Sequence, residues 1–214
     1  MKLSVNMFMT LDGVVQGPGA PDEDTSGGFT RGGWVAPLFD DDLGRFVDGY
    51  FQQTEALLYG RLTYEIMAAF WPQVTDPGDG VATPLNTLPK YVVTNTLTEA
   101  TWNNSTIISG DFLAAIRDLK KQPGKELQLH GCARLARTLH EAGLIDVYRI
   151  MVFPVVVGDG KRLFGPDGPA TGFRTVSTET TSAGVTALTL EPVPYATAGF
   201  TVVDGKEQIE ERAR

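Results

Sequence analysis

A single cysteine, Cys132, excludes an intrachain disulfide, and a lone thiol fits a reducing compartment. The opening Met1-Lys2-Leu3-Ser4-Val5-Asn6 has no charged leader, long apolar core or small-residue cleavage site, so the expected location is cytoplasmic. No apolar run approaches the length of about 20 residues that spans a bilayer, so no membrane role is expected. Only two histidines, His130 and His140, accompany the cysteine, which argues against a zinc site of nitrogen and sulfur ligands. Lys and Arg number 18 against 26 Asp and Glu, for a net charge of −8. The basic residues are dispersed apart from Lys120-Lys121 and Lys161-Arg162, so a nucleic-acid footprint is not expected. Also missing are G-x-G-x-x-G after the first strand, G-x-x-x-x-G-K-[ST], and the G-x-S-x-G elbow of serine hydrolases.

What is present is ordinary globular material, 42% hydrophobic and 21% charged over 214 residues. Leu3 to Thr10 alternates as a strand and is broken by Leu11-Asp12-Gly13. Gly17 to Gly33 is a long loop rich in Gly, Pro and acid, and its neighbours Phe29, Trp34 and Phe39 argue against free disorder. Helical patterns follow at Asp40 to Gln53, Arg61 to Phe70, Asp111 to Lys121 and Ala133 to Ala142. Strand patterns lie at Ala56 to Tyr59, Tyr91 to Thr94, Thr106 to Ser109, Glu126 to His130 and Val147 to Val157. Pro72 to Pro89 is turn-rich. Phe173 to Thr180 and Thr186 to Glu191 suggest a terminal antiparallel hairpin. Strands alternating with helices imply a three-layer α/β/α domain around a mixed, mainly parallel sheet. A single domain over 1–204 is expected, with 205–214 as a charged, frayed tail.

The most informative stretches are Leu57-Leu58-Tyr59-Gly60-Arg61-Leu62-Thr63-Tyr64-Glu65 and His130-Gly131-Cys132-Ala133-Arg134-Leu135. Each is a strand that turns at glycine into a helix, where free N–H groups and the positive dipole end meet. Alone, Arg61 could equally pair with a nearby carboxylate. With the Gly131 turn, an anionic ligand holding several phosphates is the better reading. Cys132 sits where a helix dipole could lower its pKa, but no sequence neighbour makes it a nucleophile, so a small turn residue is expected. His130 is open between ligand contact and a structural hydrogen bond, and His140 is expected to be exposed. Tyr64 reads as packing, and Gly158-Asp159-Gly160 as a tight turn.

Five segments, in order, resemble the dihydrofolate-reductase-like group that includes the reductase domain of riboflavin-pathway deaminase-reductases. They are Thr10-Leu11-Asp12-Gly13, Leu58 to Glu65, Tyr91-Val92-Val93-Thr94-Asn95, His130 to Leu135, and Phe153 to Phe164. The resemblance implies that fold and an NADPH-dependent hydride transfer to a small heterocyclic or carbonyl substrate. It suggests a likeness to 5-amino-6-(5-phosphoribosylamino)uracil reductase. It puts Gly60, Arg61 and Thr63 against the coenzyme phosphates, and Thr94 and Asn95 at the adenosine 2′-phosphate. It puts Gly131, Cys132, Ala133, Arg134 and Leu135 around the pyrophosphate. Here Cys132-Ala133 stands where relatives often carry another small residue, and Asn95 is neutral where a cation would favour NADPH over NADH.

Hydride transfer also needs a proton source. Trp34-Val35-Ala36-Pro37 followed by Asp40, Asp41 and Asp42 resembles the reductase pattern at altered spacing. Asp40, Asp41 and Asp12 are therefore the candidates, against their alternative roles in a helix start and a turn. A non-catalytic dinucleotide-binding or sensor protein on the same fold is the alternative function. A homodimer is expected because related reductase domains pair, and Ile150 to Val157 is either its contact or a central strand.

Overall fold

The computed structural model describes residues 1–211. β1 (Lys2–Thr10) leads through the long loop to α1 (Asp41–Phe51), then β2 (Thr54–Gly60) and α2 (Arg61–Phe70). α3 (Ala82–Thr87), β3 (Lys90–Val93), β4 (Ser105–Ile108), α4 (Phe112–Lys121), β5 (Glu126–His130), α5 (Ala133–Glu141) and β6 (Val147–Phe153) follow. β7 (Thr171–Thr180), β8 (Thr186–Pro194), β9 (Ala198–Val203) and β10 (Lys206–Glu211) complete the order.

The helix starts follow from their caps. Asp40 accepts the N–H of Leu43 at 2.8 Å, and Asp111 accepts that of Ala114 at 3.0 Å. Such a cap is worth about 1 kcal/mol because it satisfies an N–H that the first turn leaves open. Gly143, at φ +63°, closes α5 as only glycine does readily.

Eight strands form one sheet in the order β4-β3-β2-β5-β1-β6-β8-β7. β1 to β6 run parallel, and β7 and β8 add antiparallel strands at one edge. α4 and α5 cover one face, where Ile116, Leu119, Leu135 and Leu139 pack on Leu3, Val5, Leu127 and Leu129. α1, α2 and α3 cover the other, where Leu43 meets Met151 and Phe153, and Tyr64 and Leu85 meet Leu57, Tyr59 and Val92. This is the expected dihydrofolate-reductase-like layering.

Four details depart from the sequence reading. Pro72 to Pro89 holds α3 and a short 3-10 turn at Trp71–Gln73, because Asp79 accepts the N–H groups of Val81 and Ala82 and so starts a helix. Phe39 is half exposed rather than buried, while Phe29 and Trp34 are buried as expected. Ile150 to Phe153 lies inside the sheet between β1 and β8, so that stretch is a central strand and not a free contact surface. Lys206–Glu211 is a strand paired with β9 rather than a frayed tail, because the positive-φ pair Asp204-Gly205 makes a tight turn that doubles the chain back. Residues 212–214 of the expected tail lie outside the described residues.

Candidate active site

β2 and β5 are neighbours, yet β2 leaves the sheet into α2 on one face and β5 into α5 on the other. Chains that diverge in this way open a crevice at the carboxyl ends of the strands. Gly131 and Cys132 both take the left-handed conformation, at φ +61° and +59°, to turn β5 into α5. For a cysteine this costs about 1–2 kcal/mol. Its sulfur offsets part of that by accepting the N–H of Gly60 at 3.1 Å, which ties the two turns together. Gly131 in turn donates to the carbonyl of Asn6 at 3.2 Å. The first bond of α5 runs from Ala136 to the carbonyl of Cys132 at 2.9 Å, so the N–H groups of Ala133, Arg134 and Leu135 precede the ladder. The two helix mouths face the same space.

That space is a cavity of about 1330 Å³. A pocket for one small molecule holds roughly 300–1,000 Å³, so an elongated ligand and a second molecule fit together. The cavity is lined by Gly60 to Thr63, Thr94 to Thr96 and Gly131 to Leu135, with Arg61, Arg134, Arg137 and Lys161 as cations. All ten expected coenzyme residues are therefore brought to one cavity. Asn6, Phe8, Val47, Tyr50 and His130 also line it, as do the loop residues Gln16 to Ala20, Glu23 and Asp24. Arg61 lines the cavity and also pairs with Glu65 at 3.2 Å. Thr94 accepts the N–H groups of Thr96 and Leu97 at 3.1 and 3.0 Å, and Asn95 accepts that of Gly110 at 3.0 Å. These bonds shape the loop after β3.

The long loop is knitted rather than free. Gln16 donates to the carbonyls of Asp24 and Ser26 at 3.0 and 2.9 Å and accepts from Lys161 N–H at 3.0 Å. Lys161 Nζ pairs with Asp24 at 2.6 Å.

The three acidic candidates lie elsewhere. Among the described residues, none of Asp12, Asp40 and Asp41 lines the cavity. Asp12 is held by the Thr10 hydroxyl at 2.6 Å, by the N–H groups of Val157 and Gly158 and by Arg162, so it latches the first turn to the 157–162 loop. The Thr10 hydrogen bond and those N–H groups hold its pKa below the usual range. Asp40 is spent on the α1 cap and on Ala183 N–H at 2.7 Å, and Asp41 is exposed in the first turn. The carboxylates that do line the cavity are Glu23 and Asp24, which the sequence pass overlooked. Burial raises the pKa of Glu23 despite the N–H groups of Gly19 and Ala20.

Cys132 and the histidines also differ from expectation. Burial pushes the Cys132 thiol up to about 11, opposite to the dipole argument, because the sulfur is enclosed at the junction of the two turns. His140 is half buried rather than exposed, with Nδ1 2.7 Å from the Tyr148 hydroxyl, in a smaller cavity of about 250 Å³ beside Phe164 and Phe173. His130 stacks on Phe51 at 5.1 Å and lines the main cavity. It ends a buried polar ladder on the α1 face. Arg149 grips Glu126 at 2.6 and 2.8 Å, Gln128 donates to Glu126 and to the Tyr50 carbonyl, and Gln128 Oε1 meets His130 Nε2 at 3.1 Å. Burial, with Arg149 adding to it, lowers the His130 pKa to about 4, so the ring is neutral.

A model of the RibD C-terminal domain matches residues 1–187. The chain belongs to the RibD C-terminal domain family. It is 30% identical to the uncharacterized protein YyaP of Bacillus subtilis over 186 residues, 86% of this chain and 91% of YyaP. A candidate riboflavin biosynthesis protein of Shewanella sp. PV-4 shares the fold at a TM-score of 0.69 and 21% identity, covering 90% of this chain and 99% of that one. Dihydrofolate reductase from Enterococcus faecalis, solved with NADP(H), matches at a TM-score of 0.57 and 12% identity, covering 89% and 96%. RibD C-terminal domains are a family of NAD(P)H-dependent reductases. Among the described residues no helix is long and apolar enough to cross a membrane, and no cluster of three His, Cys, Asp or Glu residues could hold a metal.

Proposed function

We propose that this chain is an NADPH-dependent reductase that delivers hydride to a small heterocyclic or carbonyl substrate. One observation carries the reading: two helix mouths converge on a single cavity too large for one small molecule, with three arginines along it. The fit to a dinucleotide is chemical as well as spatial. Gly60 to Thr63 with Arg61 would hold one phosphate group, and Ala133 to Leu135 with Arg134 the pyrophosphate, through N–H groups outside the helical ladder. Bound there, the coenzyme supplies the hydride. The loop from Gln16 to Asp24 borders the cavity and would exclude water from the transfer. Glu23 replaces Asp12, Asp40 and Asp41 as the candidate proton donor, because it lines the cavity and burial raises its pKa. The substrate resembles the ribosylamino-pyrimidine of the riboflavin pathway, reduced at its sugar. A second copy of the chain is the proposed partner, because Phe200 and Ile209 face one another across the β9–β10 hairpin with 75% and 70% of their surface exposed. Equilibrium sedimentation tests that pairing.

Calorimetric titration with NADPH and NADH tests the coenzyme site. Arg61→Glu and Gly131→Val should each weaken NADPH binding at least about tenfold. Unchanged affinity in both would remove the reading. Steady oxidation of NADPH by a carbonyl or pteridine substrate separates the reductase from a non-catalytic sensor. If Glu23 delivers the proton, the rate should fall as pH rises through its raised pKa.

A further inference from the structure

Asn6 is 8% exposed and lines the main cavity, yet neither its Oδ1 nor its Nδ2 has a hydrogen-bond partner among the described residues. Buried carboxamides are almost always satisfied. Tyr59 and Ser105 also carry an orphaned oxygen, but neither lines this cavity.

The neighbours of Asn6 leave its side chain unpaired. Its register partners are His130 on β5 and Arg149 on β6. Arg149 is committed to Glu126 through both terminal nitrogens. Gln128 spends its amide nitrogen on Tyr50 and Glu126, so its oxygen faces His130 and must accept. His130 therefore carries its proton on Nε2, and its neutral ring leaves Nδ1 as an acceptor. The backbone carbonyl of Asn6 is taken by Gly131.

We propose that Asn6 anchors a planar amide group of a bound ligand, its Nδ2 donating to the ligand carbonyl and its Oδ1 accepting the adjacent ligand N–H. The carboxamide presents one donor edge and one acceptor edge in a plane, which an amide matches at both positions. A carboxylate or phosphate would set an acceptor against Oδ1 and against the lone pair of His130, while Arg61 and Arg134 sit at the helix mouths, Arg137 one turn into α5, and Lys161 is paired with Asp24. The inference rests on the cavity being the coenzyme and substrate site proposed above. Two sources carry this chemistry, the carboxamide of a nicotinamide ring and the lactam edge of a heterocyclic substrate.

The experiment compares two ligand pairs by calorimetry, on wild type and on Asn6→Leu. The first pair is NADPH and its reduced 3-acetylpyridine analogue, whose amide nitrogen is replaced by methyl. The second is uracil and 1,3-dimethyluracil. Wild type should prefer the unblocked member of at least one pair by about tenfold or more, and Asn6→Leu should lose that preference while still binding the blocked member. The pair that responds names the source. A preference that survives in Asn6→Leu, or that wild type lacks in both pairs, overturns the assignment, as does failure of all four probes to bind. Lactam preference without any NADPH binding would sink the coenzyme reading and leave Asn6 assigned. The ligand-free protein gives an independent readout, since replacing an unpartnered buried amide by an apolar isostere should raise Tm by about 2–4 °C. A fall in Tm in both Asn6→Leu and the smaller Asn6→Ala would show that the fold itself uses the side chain, and would also overturn the assignment.

Discussion

Lys90 and Asn6 are polar side chains sunk into the same sheet, and their surroundings treat them in opposite ways. Lys90 is fully buried on β3, where Nζ donates to the carbonyls of Leu88 and Asn103 at 2.9 Å each and lies 4.6 Å from the centre of the Trp102 ring. Burial draws its pKa down to about 8, still high enough for the ammonium to dominate at neutral pH. Asn6, on β1 beside the carboxyl end of β5, has no side-chain partner among the described residues. The difference separates two uses of buried polarity. A satisfied group closes the fold on itself, pinning β3 to the loop before β4. An unsatisfied group that faces a cavity leaves its bonding capacity to whatever enters.

The comparison is broken most forcefully at Lys90. Lys90→Ala removes a buried stem and leaves two carbonyls without their donor, so it should cost about 3 kcal/mol in urea unfolding. Coenzyme affinity should stay within about twofold of wild type, because Lys90 does not line the cavity. If Asn6→Ala cost as much stability as Lys90→Ala, the distinction between the two sites would fail.

His130 stands between the extremes, with one ring nitrogen given to the fold and the residue on the cavity wall. Its folded pKa of about 4 lies below the unfolded value of roughly 6.5, so between them the unfolded chain binds more protons. Its contribution to stability is therefore present above about pH 6.5 and lost as pH falls toward 4, by about 3 kcal/mol across the window. Glu126, held below the usual carboxylate range by Arg149 against the opposing effect of burial, loses stability in the same direction at lower pH. Urea melts at pH 7 and pH 4.5 isolate the histidine when wild type is compared with His130→Gln. An equal pH slope in both would assign the acid sensitivity elsewhere.

Much of this architecture could be read from local chemistry. The caps at Asp40 and Asp111, the two glycine turns and the strand–helix alternation are short-range features that the chain spells out residue by residue. The two helix mouths on the cavity followed from them, because a turn that frees N–H groups does so wherever it is placed. The ladder on the α1 face was not legible. Glu126, Gln128 and His130 alternate with Leu127 and Leu129 as a solvent-facing stripe would, and it is Arg149, 23 residues past Glu126 and two strands away in the sheet, with Tyr50 and Phe51 of α1, that makes the stripe a buried one. The acidic residues misled for the same reason. Asp12 and Asp40 look available until Gly158 and Ala183, nearly 150 positions on in each case, supply the N–H groups that occupy them. Glu23 could have been suspected only from its place in a loop of unusual length.

The smallest expected effect concerns the pair that belongs to both categories at once. Arg61 is half exposed at the mouth of α2 and is held by Glu65 one turn on, with 51% and 40% of the two side chains open to solvent. Such a pair is worth less than about 0.5 kcal/mol, because water screens it and two long side chains must be ordered to make it. Glu65→Gln should therefore leave the unfolding midpoint nearly unchanged. It also removes the carboxylate that holds Arg61 against a phosphate, so NADPH affinity should rise by about two- to threefold, with the gain shrinking at high salt. A gain in stability without a gain in affinity would place Arg61 with Lys90, as a residue of the fold, and leave α5 alone to grip the coenzyme.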